Sequence, residues 1–180
     1  KKGIRFTDAH PNASVCVPTR LGIMTGSYPW RFANPGRGGP WGFLIPRFGE
    51  EVDTLGDALT TSGYHTGYIG KWHLGTRMVT KDGKMQGPTN VDYGKPLVMG
   101  PPQHGFKYSF ILPGSLDMYP YAFVRNNVWQ GEVTAQKGWS AFNRVGPAEK
   151  NFEDHQVLET FYGEAEDFLS RQKKKTPFFL

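Results

Sequence analysis

Tyr64-His65-Thr66-Gly67-Tyr68-Ile69-Gly70 runs straight into Lys71-Trp72-His73, and these ten residues decide the fold. Their β-branched and aromatic side chains predict a short strand that delivers a lysine, a tryptophan and a histidine at its carboxyl end. Just upstream, Asp53 is placed to cap a helix that carries Leu55, Ala58 and Leu59 and is closed by Gly63. Downstream, residues 78–103 are polar and punctuated by Gly and Pro, which reads as a loop or insertion. Further short strands are expected at 105–111 and 121–125. A long helix is expected over 153–172, with Val157, Leu158, Phe161, Tyr162, Ala165, Phe168 and Leu169 on one face. Its basic end, Arg171-Gln172-Lys173-Lys174-Lys175, sits where the helix dipole favours cations.

Working outward to the amino-terminal side, residues 3–9 carry Ile4, Phe6 and Thr7 and read as a strand entering a loop at His10-Pro11-Asn12. Pro18 and Gly26 then bracket a short helix that begins near Cys16. Residues 34–49, with Gly36-Arg37-Gly38-Gly39-Pro40, read as a loop. The opening Lys1-Lys2-Gly3 shows no targeting leader. At the other end, Thr176-Pro177-Phe178-Phe179-Leu180 reads as the start of a buried strand. The expectation is therefore one piece of a larger domain: an α/β fold with a largely parallel central sheet flanked by helices, incomplete at both ends. Ligands in such folds collect at strand carboxyl ends and helix amino ends. Cys16 and Lys71-Trp72-His73 both fall on that rim.

Composition narrows the function classes. With 38% hydrophobic and 21% charged residues in 180, the chain is no disordered polyelectrolyte. It has no run of about 18 apolar residues that would span a bilayer. A single cysteine excludes an internal disulfide framework and a Cys-based zinc cluster, leaving Cys16 as either an inert buried thiol or the centre of some chemistry. The formal charge of +5 is scattered along the chain, which argues against nucleic acid as a partner.

Cys16-Val17-Pro18-Thr19-Arg20, closing with Thr25-Gly26, has the form C-x-P-x-R followed by T-G. A helix amino terminus offers unpaired N–H groups to an anion. Arg20, one turn on, can turn its guanidinium back toward the same spot. His10, His65, His104 and His155 show no metal-ligand spacing and read as structural or exposed. Asn12-Ala13-Ser14 has the form of a glycosylation sequon but lies too close to Cys16 to carry a glycan without crowding it.

The segment from Ser14 to Gly26 resembles the signature of the type I sulfatases, the formylglycine-dependent, arylsulfatase A-like members of the alkaline-phosphatase-like superfamily. Gly63-Tyr64-His65-Thr66-Gly67-Tyr68-Ile69-Gly70-Lys71-Trp72-His73-Leu74-Gly75 resembles their second signature. Leu112-Pro113-Gly114-Ser115-Leu116-Asp117-Met118 looks like their substrate-contacting segment. Val17 departs from the small residue usual in the family. The resemblance implies an alkaline-phosphatase-like catalytic domain of which residues 1–180 are a part. It implies a sulfuric ester hydrolase in which Cys16 becomes Cα-formylglycine, whose hydrated aldehyde is the nucleophile. Arg20 would hold that side chain, Lys71 would bind a sulfate oxygen, His73 would hydrogen-bond the diol, and Ser115 would contact substrate. A divalent cation, calcium, is implied as cofactor, held by the modified Cys16 and by family ligands outside this segment, so the segment alone is expected to be inactive. Implied partners are a small-molecule or glycan sulfate ester and a formylglycine-generating or equivalent modifying enzyme, with no nucleic acid and no membrane span; the implied location is exported, whether periplasmic, extracellular or lysosomal. Each site residue has a plainer alternative: Lys71 a solvated strand end, His73 a packed histidine, Ser115 and Asp117 turn formers. Two other functions remain open at this point. One is a phosphodiesterase or phosphonate hydrolase of the same superfamily. The other is a non-catalytic sulfated-glycan-binding protein.

Overall fold

The computed structural model describes residues 3–32 and 45–180. Cys16–Thr25 forms helix α1, Leu55–Thr61 helix α2, His65–Lys71 strand β1 and Tyr108–Leu112 strand β2. Two short antiparallel pairs follow, β3 (Val124–Arg125) with β4 (Val128–Trp129) and β5 (Ala135–Lys137) with β6 (Gly146–Ala148). Helix α3 spans Val157–Ser170, and β7 is Phe178–Phe179. The main sheet has the order β4-β3-β2-β1-β7. Its heart, β2-β1-β7, is parallel, and the β3–β4 pair joins β2 antiparallel at one edge.

Alternation along β1 and β2 sorts the two faces. Thr66 and Tyr68 face α2, with Thr66 Oγ1 beside Thr60 Oγ1 at 3.0 Å and Tyr68 edge-on to Phe106. A core built from Leu21, Met24, Phe48, Trp72, Phe106 and Ile111 fills this side. His65 and Tyr108 face α3, each against the ring of Phe168. Gly67 lies directly under that ring: a Cβ there would stand 2.8 Å from Phe168 carbons, so glycine is what lets the helix approach the strand.

The ends of α2 follow from local chemistry. Its cap is Thr54, whose hydroxyl accepts from the Asp57 N–H while Asp57 accepts from the Thr54 N–H; the expected Asp53 is one residue early. At the other end Gly63 adopts φ 85°, and Tyr64 N–H reaches back to Leu59 O at 3.0 Å, so the chain leaves the helix straight into β1. Helix α1 starts at Cys16 and ends at left-handed Gly26, as the sequence indicates. Val17, Leu21 and Met24 form its buried stripe, so the unusual Val17 side chain is absorbed by the core.

Three expectations need correction. Residues 3–9 are an exposed run with no strand, because no neighbouring strand among the described residues takes up their backbone groups; Ile4 is 84% exposed. Helix α3 begins at Val157, after a single 3-10 turn at Asp154–Gln156. Its apolar stripe is wider than the sheet beneath it: Val157 and Phe168 are buried, while Leu158 and Tyr162 are 80% and 64% exposed. The stretch expected as a loop or insertion, 78–103, carries the bridges Arg77↔Met99 and Thr80↔Val91 and runs into a 3-10 turn at Pro101–His104, while its Met78, Val91 and Leu97 pack into the main core. The Gly36-Arg37-Gly38-Gly39-Pro40 loop lies outside the described residues. Among the described residues, no helix is long and apolar enough to cross a membrane.

Candidate active site

The carboxyl end of β1 is held along its β2 side. Trp72 N–H bonds Leu112 O and His73 N–H bonds Pro113 O, each at 3.0 Å, which continues the parallel pairing past the last residue of the strand. Trp72 is wholly buried, with its indole N–H donating to Gly75 O at 2.7 Å. His73 is 1% exposed and has a φ of 53°, a left-handed conformation that is uncommon outside glycine and clusters at functional sites. Gly75, with φ 79°, completes the turn where a Cβ would meet Ile45 O at 2.1 Å.

This turn aims two side chains at one atom. His73 Nδ1 lies 3.4 Å from Cys16 Sγ, and Lys71 Nζ donates to the same sulfur at 3.7 Å. Cys16 is the first residue of α1 and is half-buried. The helix start is fixed by the loop before it: Thr19 Oγ1 donates to Ala13 O at 2.6 Å and Asn12 Nδ2 donates to Pro18 O at 3.3 Å. The N-cap is Val15, which offers no side-chain acceptor to the first N–H groups. A helix amino end whose first residue carries a thiol, faced by an ammonium and an imidazole, is arranged to take negative charge.

Arg20 serves this arrangement from behind. Its Nη1 donates to Lys71 O at 2.7 Å and to the Tyr68 hydroxyl at 3.3 Å, instead of reaching Cys16. Tyr68 itself donates to Lys71 O at 2.8 Å. Burial pushes the Tyr68 phenol up, against a smaller downward pull from Arg20, so it stays a donor. Sequence reading missed Tyr68 because a tyrosine at an inward strand position looks like core; only its distance to the Lys71 carbonyl distinguishes it.

Ser115 sits after β2 in a tight turn closed by Ser115 N–H to Met118 O at 3.2 Å. Its hydroxyl donates to Asp117, whose other oxygen takes Arg144 Nη1 at 3.3 Å. Its described bonds tie it to this turn, and they do not link it to the Cys16, Lys71 and His73 group. Of the other histidines, His10 and His155 are exposed, each beside an acid, His65 packs on Phe168, and His104 is buried against Trp72 and Phe48.

Among the described residues, no group of three or more His, Cys, Asp or Glu side chains is placed to hold a metal ion. The donors around Cys16 do not fit calcium either. That hard cation takes six to eight oxygens, whereas the site offers a sulfur, an imidazole nitrogen and an ammonium.

A family model described as Sulfatase matches residues 1–180. The chain is 34% identical over 131 residues to an N-acetylgalactosamine-6-O-sulfatase of Bacteroides thetaiotaomicron, covering 69% of this chain and 22% of that protein. It is 36% identical over 122 residues to Arylsulfatase A of Bos taurus, covering 66% of this chain and 20% of that one. The chain thus spans about a fifth of the length of these curated relatives. A solved structure from the Bacteroides thetaiotaomicron locus for metabolism of multiple glycosaminoglycans, labelled BT33336S-sulf, superposes with a TM-score of 0.75 at 23% identity. That match covers 98% of this chain and 42% of the other, and it shows the same fold.

Proposed function

This chain belongs to the sulfatase family, and from that premise we propose that the full-length protein hydrolyses sulfate monoesters of carbohydrates at Cys16, after conversion of that residue to formylglycine. The observation that carries the reading is the convergence of Lys71 Nζ and His73 Nδ1 on Cys16 Sγ at the first residue of α1. The similarity to a protein named N-acetylgalactosamine-6-O-sulfatase supports a carbohydrate as the alcohol.

The two groups that face Sγ suit an oxygen in place of the sulfur, since both are nitrogen groups able to hydrogen-bond oxygen. When formed, the hydrated aldehyde supplies the hydroxyl nucleophile toward sulfur that a thiol does not. The chain's own residues do the rest. Lys71 offsets the charge of the sulfate oxygens as the ester bond lengthens. His73, fixed by its backbone bond to Pro113 O, holds a proton at Nδ1 or accepts one from the group at position 16. Arg20 keeps Lys71 in place through the Lys71 carbonyl. As the oxygen of residue 16 bonds to sulfur the ester S–O bond breaks, and the proton lost by that hydroxyl goes to the departing alcohol. The second hydroxyl then gives up its proton, the C–O bond to sulfate breaks, and the aldehyde is restored for rehydration by water.

Calcium, which the family resemblance implies, would need its oxygen ligands from residues other than those described, and no step above depends on it. Two measurements test the reading. Conversion of the thiol to an aldehyde removes two hydrogens and exchanges sulfur for oxygen, so the Cys16 peptide from a host with the modifying enzyme should lose about 18 Da. In the full-length protein, Cys16→Ala should abolish hydrolysis of a sulfated sugar or an aryl sulfate surrogate. Turnover that survives this substitution would remove Cys16 from the mechanism.

A further inference from the structure

We infer that the Tyr68 hydroxyl is a positioning group for this site, pinning the Lys71 carbonyl together with Arg20 and thereby setting where Lys71 Nζ and His73 Nδ1 meet residue 16. The inference rests on reading Cys16, Lys71 and His73 as one site, but its geometry is independent of the reaction assigned there.

Backbone accounting shows where such a group acts. On the β2 side the ladder past the end of β1 is carried by the N–H groups of Trp72 and His73. The Lys71 carbonyl is met by side chains. It receives two, Arg20 Nη1 at 2.7 Å and the Tyr68 hydroxyl at 2.8 Å. Arg20 Nη1 also donates to the Tyr68 oxygen at 3.3 Å, which closes a three-membered ring of contacts. Gly70, with φ 124°, and His73, with φ 53°, flank this carbonyl. Lys71 and His73 lie on either side of the peptide that this carbonyl begins, so a shift of its plane moves both nitrogens that face the sulfur.

The ring of Tyr68 has a separate task, which allows the hydroxyl to be tested alone. It packs edge-on against Trp72 and Phe106, with centroids 5.1 and 5.2 Å away. Tyr68→Phe keeps these contacts and removes only the oxygen. Arg20 then loses one of its two acceptors and Lys71 O one of its two donors.

The readout is alkylation of the Cys16 thiol by iodoacetamide, followed on the Cys16 peptide by mass spectrometry. The protein is full-length and comes from a host without the modifying activity. Lys71 Nζ faces the sulfur at 3.7 Å, so Lys71→Met should slow alkylation about tenfold and Tyr68→Phe about threefold, the double variant being no slower than Lys71→Met alone because Tyr68 acts through Lys71. Phe106→Leu, which loosens the same ring without touching the carbonyl, should leave the rate unchanged. Tyr68→Phe and Phe106→Leu slowing alkylation equally, or Tyr68→Phe and Lys71→Met adding independently, would reduce Tyr68 to packing and overturn the inference. An unchanged rate in Tyr68→Phe would overturn it as well. If the alkylation pattern is as expected while the modified wild-type enzyme turns over no sulfate ester, the proposed function fails and the role of Tyr68 stands.

Discussion

The two halves of the candidate site are built to different standards. On one side, the turn that follows β1 is buried: Trp72, His73 and Leu74 are each at most 1% exposed, and their backbone is tied to Leu112, Pro113 and Arg47. On the other, α1 is entered from an exposed run, and its N-cap Val15 is 60% exposed and provides no capping acceptor. One half is a frame; the other is a helix end tied to its own loop by Asn12 and Thr19 and docked on the frame by Arg20. The difference has a physical sense. The groups that must stay aimed, Lys71 and His73, are carried by the frame, while the residue proposed to be chemically remade is on the half that is easier to reach.

Substitutions that strike each half should separate these roles. The largest effect on turnover from the frame half is expected for Lys71→Ala in the full-length protein, about a hundredfold loss in kcat/KM with the fold intact, as for removal of one preorganised donor. A loss below a few-fold would place Lys71 outside the reaction. Next comes Trp72→Ala, which empties the centre of the frame and should cost about 3–5 kcal/mol in chemical denaturation. A cost near 1 kcal/mol would mean that the β1 end is no more rigid than the α1 end.

Acid should weaken the frame half selectively. His104 stacks on Trp72 and Phe48, and burial holds its pKa below the ordinary 6.5 despite the opposing pull of Asp57, Glu50 and Glu51. Below 6.5 the unfolded chain binds a proton that the folded chain resists, so stability should fall as pH drops through 6.5 and His104→Phe should flatten that slope. An identical slope in the variant would clear His104 of the effect. The smallest change sharpens the comparison from the other side. Val15→Ser supplies the missing N-cap acceptor and should raise stability by about 0.5–1 kcal/mol. Hydrogen exchange would place the gain in α1; no gain there would mean that the loop bonds from Thr19 and Asn12 already do the work of a cap.

Much of this was legible in the sequence where the signal is local. The Gly63 exit from α2, the β1 strand and the start of α1 near Cys16 are set by residues within a few positions, and they stand where the sequence puts them. The cap moved from Asp53 to Thr54 because both are good caps and only the register of the following turn decides between them. The amino-terminal strand failed for a different reason: apolar alternation at 3–9 describes a strand only if a neighbour is present to pair with it. The seven-residue stripe on α3 reports its own pattern and carries no information on how much sheet lies beneath it.

The sequence by itself determined which residue types stand at which element ends: a cysteine opening a helix, a lysine and a histidine closing a strand. That follows from short-range propensity, turn chemistry and motif spacing. Only the tertiary structure decided that Lys71 and His73 meet across a single sulfur 55 and 57 residues away in the chain. It also decided that Arg20 grips a backbone carbonyl and that Tyr68 shares it. Those outcomes depend on side chains from a helix and a strand converging on one carbonyl, and that convergence becomes visible only once every neighbour is in place.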